Sequence, residues 1–489
     1  MKRDRVDVVI IGSGFGGLST AILLARLGRK VTVVESAPQP GGCLRSYARE
    51  DVDCPVGVHY FGSAAPGELL GDFIDVLGVR DALKLRRLGQ GGVIDRFVFD
   101  DEVFDLPDTA EKLEASLAKR FGHAPDAVAF VMHVCRTAMA NLRTDTANTT
   151  PSALPVTRTA FDVLTEKGLP DRMMDFLALQ GFLLGLDLSV CPAAFLLVAT
   201  ASLLMSAWEL GCTGTQMANA LVESAIAAGV EIITGDGASA IQVSSRRATG
   251  VQLQSGAVVD ADVVIAAIHP KLMVDLIPGE DLPQAYRAGI GKLEETGGML
   301  CAVALLDEGL HPAQDFNVYR IRGTPRLGLE GCYGQFRPSG QAGLTRLVAL
   351  TESPYESWAG WHDTDTGQRG LDYRAEKLRR AHEMLRDLSA ATGPLHEPRI
   401  VDVWTPLTMR DWVAAPQGCT YGVKHSIRDG LDYLSLSRPP LERLLLVGQN
   451  ALAPGLLGTT MGILRVASSI AGRDAVIGLM SRRGQRSSE

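Results

Sequence analysis

Val6-Asp7-Val8-Val9-Ile10-Ile11-Gly12-Ser13-Gly14-Phe15-Gly16-Gly17 is the stretch that decides the fold. A short β-branched run ends in glycines, an apolar helical pattern follows from Gly16 to Leu27, and a second β-branched run covers Val31–Glu35. That is the opening of a βαβ unit. Gly12 allows the tight turn, Gly14 lets backbone approach a pyrophosphate, and Gly17 lets the helix lie close to the strand. Phe15 and Gly16 open the helix, whose free N–H groups and partial positive charge suit a diphosphate. Glu35 ends the second strand eighteen residues after Gly17. A carboxylate there accepts from ribose hydroxyls and repels a 2′-phosphate, which disfavours NADP. No second G-x-G-x-x-G opens a helix, because Gly235-Asp236-Gly237 lies among short strands. A separate nicotinamide domain is therefore not expected. Should a bound dinucleotide serve a redox reaction, its electrons would come from or go to a diffusible partner such as oxygen, a quinone or a redox protein.

The composition narrows the class. The chain has 489 residues, 46% of them hydrophobic and 21% charged, which excludes a disordered chain. Its 52 glycines follow no triplet period, so collagen is excluded as well. A net charge of −8 without a basic block argues against a nucleic-acid partner. The eight cysteines are scattered with no C-x-x-C pair, which reads as reduced thiols in a cytoplasmic protein and not as a zinc site or disulfide framework. The basic start, Met1 to Arg5, is followed by an apolar run too short for a signal peptide. Pro192–Trp208 carries no charge over 17 residues, but Ser, Thr and Pro dilute it. It reads as one buried helix against an apolar ligand cavity and not as a bilayer span.

Further along, Leu69–Leu77, Ala110–Arg120 and Tyr373–Ala391 carry helical patterns, and Met299–Leu306 and Thr345–Leu350 read as strands of a second sheet. Short strands fill Val230–Ala267, with Ser255-Gly256 as a hairpin turn. Arg443–Val447 is a last strand, followed by a glycine-rich turn and a helix from about Thr459 to Ala471.

Glu35-Ser36-Ala37-Pro38-Gln39-Pro40-Gly41-Gly42-Cys43-Leu44-Arg45 resembles the extended fingerprint of FAD-binding oxidoreductases of the glutathione-reductase-like class. Asp53-Cys54-Pro55-Val56-Gly57-Val58-His59-Tyr60-Phe61-Gly62 resembles the D-x-G-x-H-Y-x-G of the carotenoid isomerase and retinol saturase branch of the phytoene desaturase family, with two extra residues before Gly57. Thr405-Pro406-Leu407-Thr408-Met409-Arg410 and Gly418-Cys419-Thr420-Tyr421-Gly422 resemble that branch's T-P-x-T-x-R and G-x-x-Y-G. Leu444–Asn450 with Pro454–Gly458 resembles its terminal flavin motif. Cys212-Thr213-Gly214-Thr215 stands where the family often carries Pro-x-Gly-Gly.

The resemblance implies an α/β fold. An FAD-binding Rossmann-like domain, of the amine oxidase and phytoene desaturase type, carries an inserted α+β substrate domain. Residues 1–65, 212–290 and 402–475 would bind FAD, 66–211 and 291–401 the substrate, and 476–489 would be a frayed, solvated tail. Besides the residues already named, it implies cofactor contacts at Ser36, Gly41, Gly42, Arg45, Ala238 (at the adenine edge), Gly448, Gln449, Gly458, Thr459, Thr460 and Met461. His59, Arg410 and Tyr421 are the candidates for facing the substrate. The implied reaction is desaturation, saturation or cis/trans isomerisation of carbon–carbon bonds in a long polyene or isoprenoid, collected by peripheral contact with a membrane. The alternative is a tailoring oxidase or an amine oxidase-like C–N dehydrogenase. An aromatic cage would serve the latter, and an aromatic share of 6% leans against it.

Overall fold

The computed structural model describes residues 5–144, 154–426 and 436–484. Its first sheet is built outward from Val6–Ile11, which pairs in parallel with Val31–Val34 on one side and with Val258–Ala266 on the other. Glu231–Ile233 extends the sheet beyond Val31–Val34, and Leu444–Leu446 extends it beyond the second half of Val258–Ala266. Strands covered on both faces are largely apolar, as Val6–Ile11, with Asp7 its one polar residue, and Leu444–Leu446 are. The first half of Val258–Ala266 pairs antiparallel with Arg247–Leu253, which pairs with Ala238–Ser244. Gly256, at φ +83°, turns the hairpin expected at Ser255-Gly256. The turns after Ile11, Val34, Ala266 and Leu446 thus emerge at one edge, where ligands of open α/β sheets bind.

The second sheet runs, in spatial order, Arg399–Trp404, Met299–Asp307, Leu344–Glu352, Glu330–Pro338, Asn317–Arg322, Val93–Val98 and Val103–Pro107. Only the pair Asn317–Arg322 and Val93–Val98 is parallel. The helix Gly370–Thr392 covers one face, setting Met384, Leu385 and Leu388 in a core with Leu300, Phe336 and Leu347. Tyr319, Tyr333 and Leu350 belong instead to the large core shared with the first sheet's helices.

Two expectations are corrected. Pro192–Trp208 is not one helix: it forms Ala193–Leu196 and Val198–Met205, broken at Leu197, and then a strand, Ala207–Glu209. Ser206 turns the chain extended, and the strand pairs with Phe61–Gly62 and Arg86–Arg87, which places Glu209 beside Arg86 and Arg337. The tail is not frayed over its described part. Arg473–Gly484 is a helix whose Val476 and Met480 are buried, because both insert into the apolar core. No helix of the described residues is long and apolar enough to cross a membrane.

Burial also sets the response to acid. His59, His269 and His425 are each held down to about 4, by burial above all. A folded value below the free one of about 6.5 means that the native state favours the neutral ring. Their contribution is full above pH ~6.5 and is lost as pH falls towards 4, on the order of 3 kcal/mol per histidine. Asp95, lifted to about 6 by burial, works in the opposite sense, because its native form gains a proton first. His311 is lowered as well, and Asp72 and Glu352 are raised, so four histidines against three carboxyl groups predict a melting temperature that falls between pH 6.5 and 4. A flat thermal-melt profile over that range would contradict the assignment.

Candidate functional site

The described residues enclose a cavity of about 1330 Å³ that begins at the first glycine turn and ends among apolar side chains from three distant segments. Two helices open onto it. Phe15–Arg26 starts from Gly14, and Gly455–Ala471 starts from Pro454; neither carries an acid in its first turn nor a side-chain cap. Both helix starts therefore present N–H groups and partial positive charge to the cavity.

The glycines divide by what a Cβ would meet. At Gly14 and Gly448 nothing lies within 4 Å, so these positions face open space. At Gly17 a Cβ would lie 1.9 Å from the Gly12 carbonyl oxygen, and at Gly16 it would lie 2.8 Å from the Gly448 Cα. Gly41 is tight against Ala218 and Arg45. Gly12, Gly14 and Gly16 line the cavity with Phe15, whereas Gly17 and Gly41 stand behind its wall.

Glu35 also lines the cavity, and its orientation is fixed by Ser13. The Ser13 backbone and hydroxyl both donate to Glu35 Oε2, at 2.9 and 2.6 Å. Ala37 N donates to Oε1 at 2.8 Å. Ser13 also accepts, through its carbonyl, from Gly41 N at 3.0 Å, so one residue links the turn, the acid and the Gly-Gly pair. Its signal in sequence was only a small hydroxyl within the glycine motif, and it was missed. Ser36 and Ala238 line the same end.

Gly42, Arg45, Gln449, Gly458, Thr459 and Met461 are in the wall as well, with Gly42 beside the glycine turn, where its Cβ would lie 3.2 Å from the Gly14 Cα. Arg45 is spent on carbonyls, donating to Trp412 O at 2.9 Å and to Gly42 O and Gln39 O at 3.3 Å. Thr460 is not in the wall: it is fully buried and its hydroxyl returns to Leu456 O at 2.8 Å. Being on the helix face turned to the core, it supports the helix instead.

Of the candidates for facing substrate, the structure brings two to the cavity. Burial above all, with Arg346 nearby, keeps the His59 ring neutral, and its buried Nδ1 has no hydrogen-bond partner among the described residues. Tyr421 lines the wall while its hydroxyl donates to Phe182 O at 2.8 Å. Arg410 does not reach the cavity. Its helix, Pro406–Val413, turns it towards Asp411 (2.7 Å), the Tyr355 hydroxyl (3.1 Å), His362 O (2.5 Å) and Thr364 O (3.0 Å).

The aromatic argument is corrected too. Tyr60, Tyr319, Tyr333, Tyr421 and Phe182 all line the cavity, with Tyr60 and Tyr333 stacked and Tyr319 edge-on to Tyr333. A share of the whole chain says nothing about a local cluster assembled from five distant positions. Tyr319 and Tyr333 had no local signal, since they meet only through the pairing of their strands.

These residues fit a dinucleotide. Open backbone lies where a phosphate chain needs it, an oriented acid lies at one end, and two buried polar atoms at the other, His59 Nδ1 and Thr420 Oγ1, lack protein partners among the described residues. Comparison with known proteins agrees. Residues 10–77 match the model of an NAD(P)-binding Rossmann-like domain. An all-trans-retinol 13,14-reductase of Danio rerio is 24% identical over 539 residues, covering 96% of this chain and 87% of that protein. An all-trans-zeta-carotene desaturase of Myxococcus xanthus is 27% identical over 298 residues, covering 56% of this chain and 54% of that protein. The cyclohexylamine oxidase of Brevibacterium oxydans shares the fold, with a TM-score of 0.62 at 17% identity, covering 98% of this chain and 99% of that one.

The molecule is thus an oxidoreductase on a Rossmann-like fold that it shares with an amine oxidase. Within that class its sequence likeness is to the carotenoid desaturase and retinol saturase group.

Two glycine substitutions separate binding from folding. Gly14→Val places its side chain in open space, so the melting temperature stays near wild type while dinucleotide binding to the apoprotein, read by calorimetry, is lost. Gly17→Ala drives a Cβ into backbone and destabilises the fold by about 1–3 kcal/mol or more, read by denaturant unfolding.

Proposed function

We propose that the protein is an FAD-dependent oxidoreductase acting on carbon–carbon double bonds of a long hydrophobic polyene or isoprenoid-like substrate. The observation that carries this reading is the continuity of one cavity from the glycine turn to the apolar wall of Phe182, Leu183, Leu184, Phe195, Val198 and Leu203. Its volume of about 1330 Å³ exceeds the roughly 300–1,000 Å³ usual for one small-molecule site, leaving room for a cofactor and a second molecule. A flavin supplies hydride transfer at its own ring, so the protein has chiefly to hold and orient both partners.

In this reading Gly12, Gly14, Phe15 and Gly16 hold the diphosphate, Glu35 and Ser36 the ribose, and Ala238 the adenine. Gly42, Arg45, Gly448, Gln449, Gly458, Thr459 and Met461 hold the ribityl chain and ring. Gly17, Gly41 and Thr460 act from behind by allowing close packing. The cofactor is held by residues 1–65, 212–290 and 402–475, and the substrate by 66–211 and 291–401. The relatives named for retinol and zeta-carotene support a polyene.

One observation favours a second reading: the tyrosine cluster would also suit an amine, whose cation is attracted to aromatic faces. An anaerobic titration separates the two. The oxidised holoprotein is mixed with partly saturated isoprenoids or with amines, and the pre-reduced holoprotein with polyenes, while the flavin absorbance is followed. The polyene reading expects reduction by the isoprenoids or reoxidation by polyenes, or, with no net flavin change, an altered double-bond geometry by product analysis. Reduction by amines alone would overturn it, as would a purified protein that cannot be reconstituted with FAD.

A further inference from the structure

Behind the tyrosine wall lies Asp95, 1% exposed, on strand Val93–Val98 where its register against Val103–Pro107 shifts. Asn317, its neighbour across the parallel pair, donates from Nδ2 to Asp95 Oδ1 at 2.8 Å. The Asn317 amide is itself oriented, because its Oδ1 accepts from Arg337 Nη2 at 2.8 Å and from the Tyr333 hydroxyl at 3.2 Å. That leaves Asp95 Oδ2 to the Tyr60 hydroxyl, at 2.9 Å, and the Tyr60 hydroxyl meets that of Tyr319 at 2.7 Å. Tyr60 and Tyr319 both line the cavity. The result is a line of three groups, Asp95, Tyr60 and Tyr319, running from a buried carboxyl to the cavity wall.

Such a line has two polarities, because each hydroxyl has one proton to donate. With Asp95 ionised, Tyr60 donates to it, Tyr319 donates to Tyr60, and the Tyr319 oxygen offers lone pairs. With Asp95 protonated on Oδ2, the carboxyl donates to Tyr60, Tyr60 donates to Tyr319, and the Tyr319 O–H is released for another acceptor. Burial outweighs the bonds from Asn317 and Tyr60 and the attraction of Arg337, and lifts Asp95 to about 6. Both polarities are therefore populated near neutral pH. Burial also lifts Tyr60 and Tyr319 well above the ordinary phenol value, so a proton leaving Tyr319 has to be replaced along the line. Other groups near this cluster are paired or neutral. Arg337 is paired with Glu209, which also binds Arg86, and the His59 ring is kept neutral. Arg346 is paired with Asp53, and burial holds the Tyr333 and Tyr421 hydroxyls protonated.

We propose that Tyr319, supplied through Tyr60 by Asp95, is the proton donor and acceptor for a substrate carbon in this cavity. This rests on the reading of the site as one of flavin-dependent carbon–carbon chemistry. In the saturating direction the π bond breaks and one carbon receives a hydride, with its electron pair, from the reduced flavin, which is thereby oxidised. The other carbon takes the Tyr319 proton. Tyr60 replaces that proton, Asp95 replaces the one on Tyr60, and a carboxylate remains. The desaturating direction is the reverse: hydride leaves to the oxidised flavin, the neighbouring C–H proton passes to Tyr319, and Asp95 ends protonated. Tyr319 is thus the catalytic residue, and Tyr60 and Asp95 are positioning and relay residues.

Two measurements test the proposal. The first needs neither flavin nor substrate: a carboxyl-carbon NMR titration of the FAD-free protein labelled at aspartate. One signal titrating near 6, absent in Asp95→Asn and moved in Tyr60→Phe, is expected. An Asp95 signal in the ordinary carboxylate range, or one indifferent to Tyr60→Phe, overturns the relay whatever the substrate proves to be. The second follows anaerobic half-reactions of the holoprotein. Flavin reoxidation by a polyene should speed up as pH falls through 6, and flavin reduction by the saturated partner should speed up as pH rises through 6. Tyr319→Phe should slow both about 10²-fold with flavin content and substrate affinity unchanged, and Asp95→Asn should flatten both profiles. Wild-type rates and profiles in Tyr319→Phe overturn the proposal. If no polyene or isoprenoid perturbs the flavin, the reading of the substrate fails, and the NMR titration still decides the fate of the hydrogen-bonded line.

Discussion

A Cβ on Gly16 would lie 2.8 Å from the Gly448 Cα, and the rest of the molecule depends on that approach. Val6–Ile11 and Leu444–Leu446 do not pair with each other; Val258–Ala266 stands between them. The turns that follow the two outer strands nevertheless meet above it. Two helix starts more than 400 residues apart in sequence are brought to one cavity by this contact. Because parallel strands need long crossovers, everything between has to leave the sheet and return to the same edge. The second sheet and its helices are what fills those excursions, which is why one wall of the cavity belongs to them.

The same geometry accounts for a departure in the sequence. Where the resembling family often carries Pro-x-Gly-Gly, this chain has Cys212-Thr213-Gly214-Thr215. Thr213 caps the helix Gly214–Ala227 in a reciprocal arrangement with Gln216. Gly214 remains necessary, since a Cβ would lie 2.0 Å from the Leu44 carbonyl oxygen. Thr215 accepts from Ser46 N at 3.1 Å and donates to Ser46 O at 2.7 Å. One hydroxyl thus ties this helix, through the Ser46 backbone, to the strand that follows the Gly-Gly turn.

What could be read in the sequence is what local chemistry dictates. The glycine turn, the acid at the end of the second strand and the last strand–helix pair each carry their physics within a few residues, so their positions were accessible. Leu69–Leu77, Ala110–Arg120 and the long helix near Tyr373 were accessible for the same reason, through periodicity. The break at Leu197 was not, because uniform apolar composition is equally suited to one helix or two, and neither was the end of the second helix at Met205, which is followed by the pairing of Ala207 and Trp208 with Phe61–Gly62. Five strands of the second sheet were missed, since their polar and small residues, as in Glu330–Pro338, carry little alternation. The line from Asp95 to Tyr319 was invisible on principle. Tyr319 is more than 200 residues from both Tyr60 and Asp95, and it meets them only because Asn317–Arg322 lies alongside Val93–Val98.

That line also explains why so apolar a cavity is backed by so much polarity. Arg337 and Glu209 are both buried, and such a pair gives little net stability once desolvation is counted. Its value lies in what it leaves to Asp95. Arg337 meets the amide oxygen of Asn317 and not the carboxylate, while Glu209 offsets its charge. A guanidinium placed directly on Asp95 would hold the carboxyl below its ordinary range, as Arg379 and Arg380 do for Glu376, which is brought down to about 2. The tyrosines would then be fixed in a single polarity. An amide between the cation and the acid orients one carboxylate oxygen without fixing the protonation of the other, which burial alone then lifts to about 6.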